Sequence, residues 1–262
     1  EVVRQAENLG LRVTGSELVG LIPKEALLAA GRYYLDKQGK SPGVPEDELI
    51  RTAVLSLGLS DIVPFDPKKK IIENQIEGPK KRLVGMTLRE FADELSMDSP
   101  APGGGSAAAL CGALSASLSS MVANLTVGKK GYEKAWKDMK QAAVRAQKLK
   151  DAYLESVDLD TEAFDKLMEA YRLPKASEEQ KKERDEAVRS AAIEATLVPF
   201  DVLDKSIEVL KLAKKVAQKG NRNSVSDAGG ASQAGRAAAE GAYFNIRINL
   251  PSIPDQEFRS RM

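Results

Sequence analysis

At 262 residues the chain can bury a substantial core, and its 39 Lys and Arg against 38 Asp and Glu leave a net charge of +1 with no footprint for nucleic acid or an anionic membrane. It contains no histidine and one cysteine, Cys111, which excludes Ser-His and Cys-His triads, removes the usual zinc ligands and points to a reduced, cytoplasmic setting. Any proton transfer falls to Asp, Glu, Lys, Tyr or Cys.

The sequence opens on Glu1 without a Met and stops at Met262, and is expected to be a piece of a longer polypeptide. Residues 1 to 78 predict a short helix to Leu9, a strand-like run from Leu11 to Ile22 and a helix from Lys24 to about Lys37. Pro42-Gly43 and Pro45 break the chain, a helix from Glu46 to Leu57 follows, and Pro64 and Pro67 precede a last short segment to Ile76. One strand cannot make a sheet, so this stretch reads as part of an α/β domain whose other strands are missing. A linker is expected over residues 79–86, around Gly78-Pro79-Lys80-Lys81-Arg82.

From Thr87 onward the periodicity is helical throughout. It predicts helices near 87 to 96, 105 to 127, 130 to 156, 158 to 172, 178 to 198, 200 to 218 and 226 to 248, with the break between 156 and 158 open to question. Thr87 with Glu90, and Ser177 with Gln180 after Pro174, have capping-box spacing. No strand pattern competes, so residues 87–262 are expected to form an all-α antiparallel helix bundle.

Within that bundle, Ser99 to Gly128 carries no charge and begins with Pro102-Gly103-Gly104-Gly105-Ser106. Glycines ahead of a helix let the backbone approach a ligand and point unpaired N–H groups at it, a seat for a carboxylate or phosphate. The uncharged length raises the possibility of a membrane span, but Ser106, Ser115, Ser117, Ser119, Ser120, Asn124 and Thr126 argue against one. A buried helix is expected, with Leu110, Leu114, Leu118, Met121 and Leu125 as one ridge and Cys111 as filler. A second small-residue helix, rich in Ala and Gly between Ala228 and Ala242, is expected to pack against it, and the two could also form a subunit seam.

Leu149, Tyr153, Val157, Asp160, Phe164, Leu167 and Tyr171 fall at steps of three and four, and all but Asp160 are apolar or aromatic. Asp151, Glu155, Asp158, Glu162, Asp165 and Glu169 form the opposite, solvated stripe. A carboxylate at position 160 is therefore either partnered by a buried cation or helix end, or used for proton transfer with its pKa raised by burial. Asp227, entering the last helix from the Gly220 to Ser226 loop, has capping-box spacing with Ser224 and suits the helix dipole. Lys129 and Lys130 follow the uncharged helix, where cations suit its C-terminus or could hold an anionic ligand tail.

Five stretches in order now carry a resemblance. Pro102 to Ser106, Val157-Asp158-Leu159-Asp160-Thr161-Glu162-Ala163-Phe164, Leu173-Pro174-Lys175, the Asn221 to Asp227 loop, and Gly241-Ala242-Tyr243-Phe244-Asn245-Ile246 with Ile248-Asn249-Leu250 together resemble the formimidoyltetrahydrofolate cyclodeaminases. Gly15 to Pro23 and Pro64-Phe65-Asp66-Pro67 are similar to the end of glutamate formimidoyltransferase domains, which occur fused to cyclodeaminases. The resemblance implies a C-terminal transferase fragment over 1–78, with Ser16 and Glu17 as matching substrate-binding candidates and the transferase's catalytic histidine upstream of Glu1. It also implies an ammonia lyase over 87–262 that dimerises or assembles further, needs no metal, and takes polyglutamylated 5-formimidoyltetrahydrofolate to 5,10-methenyltetrahydrofolate. The catalytic acid lies in the Asp-x-Asp stretch, where helical geometry favours Asp160 over Asp158, with Asp227 a lesser candidate. Gly103, Gly104, Gly105 and Ser106 are expected to bind the pterin or a glutamate carboxylate, and Lys129, Lys130 and Asn221 the substrate's tail. Two rivals stand beside this reading: methenyltetrahydrofolate hydrolysis on the same scaffold, and a non-catalytic helical dimerisation module with Asp160 neutralised and no opening beside Gly104.

Overall fold

The computed structural model describes residues 2–13, 16–76, 82–253 and 255–262, and the chain divides into two compact units, Glu1–Lys80 and Lys81–Met262. In the first unit the helices are α1 (Val2–Asn8), α2 (Lys24–Lys37), α3 (Glu46–Leu57), α4 (Pro67–Lys70) and α5 (Ile72–Ile76). Helix α3 starts after Pro45 with Glu46, Asp47 and Glu48 in its first turn, which suits the helix dipole, and stops where Gly58 adopts a left-handed φ of 64°. A side chain at Gly31 would collide with the Leu49 backbone, so this glycine lets α2 and α3 cross closely around Leu27, Leu28, Leu35, Ile50, Ala53 and Ile71.

The predicted strand from Leu11 to Ile22 does not form among the described residues. Among the described residues its only ladder contact is a parallel bridge between Ile22 and Ile71, in which the Ile22 N–H donates to the Lys70 carbonyl at 2.9 Å and the Ile72 N–H to the Ile22 carbonyl at 3.0 Å. Leu11, Val13, Val19 and Leu21 remain exposed for want of a neighbouring strand. The partial α/β reading is not confirmed, and this unit is helical among its described residues. Residues 79–81 of the expected linker lie outside the described residues; Leu83–Gly85 makes a 3₁₀ turn.

The second unit holds α6 (Leu88–Leu95), α7 (Gly104–Asn124), α8 (Trp136–Arg172), α9 (Glu178–Lys219), α10 (Val225–Asn249) and α11 (Gln256–Arg261). Helices α7 to α10 form an antiparallel bundle: α8 and α10 both run opposite to α7, and α9 runs opposite to both. Both predicted capping boxes are present, Thr87 with Glu90 and Ser177 with Gln180. Ser224 makes no side-chain cap, so the third proposed box is absent.

Small residues set the spacing, as the composition of α7 and α10 predicts. A side chain at Gly235 would meet Ser115 Oγ at 2.9 Å, one at Gly241 would meet Ala108 Cβ at 2.8 Å, and one at Gly112 would enter the Tyr153 ring. With Ala109, Ala113, Ala116 and Ala123 facing inward, the bulky ridge turns the other way: Leu114 is 50%, Met121 40% and Leu125 49% exposed. Helix α7 meets the length and composition of a membrane span, but its small-residue face is packed inside the bundle. The expected burial of the whole ridge is thus corrected: Leu110 packs against the core, and elsewhere glycine, alanine and serine allow an approach too close for leucine.

The break left open between 156 and 158 and the predicted break between 198 and 200 are both absent. The stretch around Val157 continues as one helix, and α9 passes through Pro199. Proline at 199 removes the N–H that would bond the Ala195 carbonyl, and the Asn249 side-chain amide of α10 donates to that carbonyl at 2.8 Å instead. Asn249→Ala leaves a largely buried carbonyl unpaired and is expected to cost about 1–3 kcal/mol of stability, measured by urea unfolding. An unchanged midpoint would show that another group satisfies the carbonyl.

Candidate active site

The bundle brings three sequence-distant pieces together at the first turn of α7. Gly103 caps the helix without a side-chain bond, Gly104 is exposed, and Gly105 and Ser106 are buried. Asp160 of α8 reaches over this turn, and a Cβ at Gly105 would overlap its carboxylate. The missing side chain at Gly105 is what makes room for the acid.

Ser106 Oγ lies 3.1 Å from Asp160 Oδ2, 3.0 Å from the Val157 carbonyl and 3.3 Å from Thr161 Oγ1. One hydroxyl proton can serve one of these acceptors at a time. With Asp160 ionised, Ser106 can donate to the carboxylate; with Asp160 protonated, Ser106 can turn to the Val157 carbonyl and accept from the acid. The pair accommodates both protonation states without rearranging the backbone.

Burial pushes the Asp160 carboxyl above its ordinary range, against the opposing pull of the Ser106 hydroxyl and backbone N–H. No lysine or arginine forms an ion pair with Asp160 among the described residues. Burial likewise pushes the Cys111 thiol up, so it stays protonated and unreactive. No group of three or more Cys, Asp or Glu side chains is placed to hold a metal ion among the described residues.

Asp158 departs from its assignment to the solvated stripe. It is only 9% exposed, and Oδ1 accepts the Leu83 N–H at 2.6 Å. The chain leading into α6 covers this side of α8, so Asp158 anchors the 3₁₀ turn and faces away from the glycine turn. A contact between residues 75 apart leaves no trace in helical periodicity.

The remaining candidates gather elsewhere. Lys129 donates to Asn221 Oδ1 at 3.0 Å, and the Asn221 N–H donates to buried Thr126 Oγ1 at 2.8 Å, all beyond the C-terminal end of α7. Lys130 is exposed beside them, and Asp227 sits in the first turn of α10, where its charge suits the helix N-terminus. Helical rise over α7 puts this group about 30 Å from Gly104, so one chain does not bring it to Asp160. Ser16 and Glu17 are exposed in the first unit, where Ser16 Oγ donates to the Leu57 carbonyl.

One neighbour of the turn escaped the sequence reading. Asn245 of α10 lies 3.4 Å, through Nδ2, from where a Gly104 Cβ would stand, and that Nδ2 donates to the Gly241 carbonyl at 2.9 Å. The signal was an amide four residues after a glycine, on the face of α10 that packs closely on α7.

Comparison with known proteins agrees with this architecture. Residues 87–262 match the family model described as formiminotransferase-cyclodeaminase, and residues 1–77 match the formiminotransferase domain. The chain is 36% identical over 263 aligned residues to the formimidoyltransferase-cyclodeaminase of Rattus norvegicus, covering 100% of this chain and 48% of that protein. It is 41% identical over 172 residues to the methenyltetrahydrofolate cyclohydrolase of Methylorubrum extorquens, covering 66% of this chain and 83% of that one. The crystal structure of formiminotetrahydrofolate cyclodeaminase from Thermotoga maritima superposes with a TM-score of 0.60 at 33% identity, covering 67% of this chain and 84% of that chain. The chain spans about half the length of the curated formimidoyltransferase-cyclodeaminases it matches.

Proposed function

Because the chain belongs to the formimidoyltransferase-cyclodeaminase family, we propose that its helical unit converts 5-formimidoyltetrahydrofolate to 5,10-methenyltetrahydrofolate and ammonia, with Asp160 as the proton carrier. The observation that supports this most is a half-buried carboxylate with no ion-pair partner, held by Ser106 at the first turn of α7 beside exposed Gly104. A carboxylate kept only to neutralise a buried cation would show that cation, whereas Asp160 meets the Ser106 hydroxyl and N–H at the start of α7.

The chemistry asks one group to act twice. N10 of the folate attacks the carbon of the formimidoyl group, whose nitrogen is protonated, and must lose a proton; the resulting amine must gain one before it leaves as ammonia. Ionised Asp160 takes the N10 proton, holds it while Ser106 turns to the Val157 carbonyl, and returns it to the departing nitrogen. Atoms and charge balance, since a cationic substrate gives a cationic product and neutral ammonia. The negative carboxylate also opposes the positive charge on the reacting centre, and the N–H of exposed Gly104 at the start of α7 suits an acceptor edge of the pterin.

We assign Lys129, Lys130 and Asn221 to a polyglutamate tail bound across two copies of the chain. A two-fold axis perpendicular to α7 would pair the exposed ridges of Leu114, Met121 and Leu125 antiparallel, bringing the lysines of one copy toward the glycine turn of the other. Leu114→Glu is then expected to give monomers in sedimentation, and Lys129→Ala with Lys130→Ala to abolish any preference for long-tailed folates. A wild-type monomer, or an undiminished tail preference in the double variant, would contradict the assignment.

The likeness to a methenyltetrahydrofolate cyclohydrolase favours hydrolysis of the methenyl group as a second reading. Incubation of the purified protein with 5-formimidoyltetrahydrofolate separates the two. Ammonia and methenyl absorbance rising together is the cyclodeaminase result; loss of methenyl absorbance from added product with no ammonia from the formimidoyl compound is the cyclohydrolase one.

A further inference from the structure

Gly105 leaves room for the Asp160 carboxylate of α8, and the Asn245 carboxamide of α10 stands in ordinary contact distance of the neighbouring Gly104. The two groups therefore border the same first turn. Asn245 cannot rotate its amide freely, because Nδ2 donates to the Gly241 carbonyl at 2.9 Å and an oxygen turned toward that carbonyl would be repelled. Its Oδ1 accepts no protein hydrogen bond among the described residues and is left as a fixed acceptor. Ionised Asp160 is an acceptor as well, so both side chains at the turn call for N–H donors on whatever lies between them.

We infer that Asn245 is the residue that reads the one-carbon group on N5, its Oδ1 accepting from the formimidoyl N–H and so disfavouring a formyl oxygen in the same place. The inference rests on the cyclodeaminase reading. A formyl group is nearly isosteric with a formimidoyl group but presents lone pairs where the other presents a hydrogen, and two facing acceptors exclude each other. Sites built around such a hydrogen bond discriminate more strongly than apolar contacts do, because the mismatched ligand leaves a polar group unpaired. Asp160 alone could not supply this distinction, since its protonated form donates.

The test compares the purified wild type with Asn245→Leu, which keeps the volume and removes the acceptor, and Asn245→Ala, which removes both without adding charge. Two quantities are read: kcat/KM for 5-formimidoyltetrahydrofolate, and the inhibition constant of 5-formyltetrahydrofolate as an unreactive competitor. Asn245→Leu is expected to lose about 10²-fold in kcat/KM while binding the formyl compound at least as well as wild type, and Asn245→Ala to lose the preference for the formimidoyl ligand likewise. Parallel losses for both compounds in Asn245→Leu, or kcat/KM within about threefold of wild type, would overturn the proposal. Should Asn245→Leu fail to fold, Asn245→Ala decides, with preference lost in support and preference retained against. A wild type that turns over but never discriminates between the two compounds overturns this inference alone; one that releases no ammonia overturns the cyclodeaminase reading and this inference with it.

Discussion

Asp160→Asn is expected to lower cyclodeaminase turnover by about 10³-fold, roughly 4 kcal/mol of transition-state stabilisation, while the helix content stays that of the wild type. The amide keeps the size of the acid and can still lie over Gly105 beside Ser106, so the geometry survives and the proton carrier does not. The same variant is expected to unfold at a higher temperature near neutral pH. Burial raises the Asp160 carboxyl in the folded state, so its contribution to stability is fully present below the unfolded-state value and lost as pH rises through the folded one. At neutral pH the ionised acid is a burden on the fold that the amide removes. Calorimetry across pH reads this directly: the melting points of variant and wild type should diverge as pH rises and converge in acid. Undiminished turnover in a folded Asp160→Asn protein would remove the acid from the mechanism.

Gly105→Ala is expected to cost about 10²-fold in kcat with little loss of stability. Its new methyl would occupy the position of the Asp160 carboxylate, which must swing aside and give up its bond to Ser106. Alanine inside a helix is favoured over glycine by up to about 1 kcal/mol, which offsets part of the disturbance to packing. Activity and stability should therefore separate. Gly229→Ala supplies the comparison, because a methyl there meets nothing within 4 Å and it lies on α10 far from the turn. It should gain helix propensity and leave turnover alone. Equal turnover in Gly105→Ala and Gly229→Ala would show that the acid does not need its place over the turn.

Local chemistry explains what could be read from the sequence. Capping boxes at Thr87 and Ser177 involve residues three apart, and the 3.6-residue period that set Asp160 among Tyr153, Val157 and Leu167 is a property of one helix. Small residues announced the close pairing of α7 with α10, since only such side chains permit it. The features that were missed depend on contacts across the chain. Pro199 marks a break until Asn249 arrives from α10 to satisfy the Ala195 carbonyl, and Asp158 belongs to an acidic stripe until Leu83 covers it. The run from Leu11 to Ile22 has strand composition, but strand structure requires a neighbour, and Ile71 gives it a single bridge. Asn245 was hidden for the same reason, as its place beside Gly104 exists only once two helices have packed.

The central claim is that one aspartate carries the proton from N10 to the leaving nitrogen. It is tested most directly by following the Asp160 carboxyl carbon by NMR across pH, assigned through Asp160→Asn, and overlaying the pH dependence of kcat/KM for 5-formimidoyltetrahydrofolate. The account predicts a titration displaced above the ordinary aspartate range, with activity falling in acid about the same midpoint. A carboxyl that titrates at the ordinary aspartate value, or an acid limb that follows some other group, would contradict it.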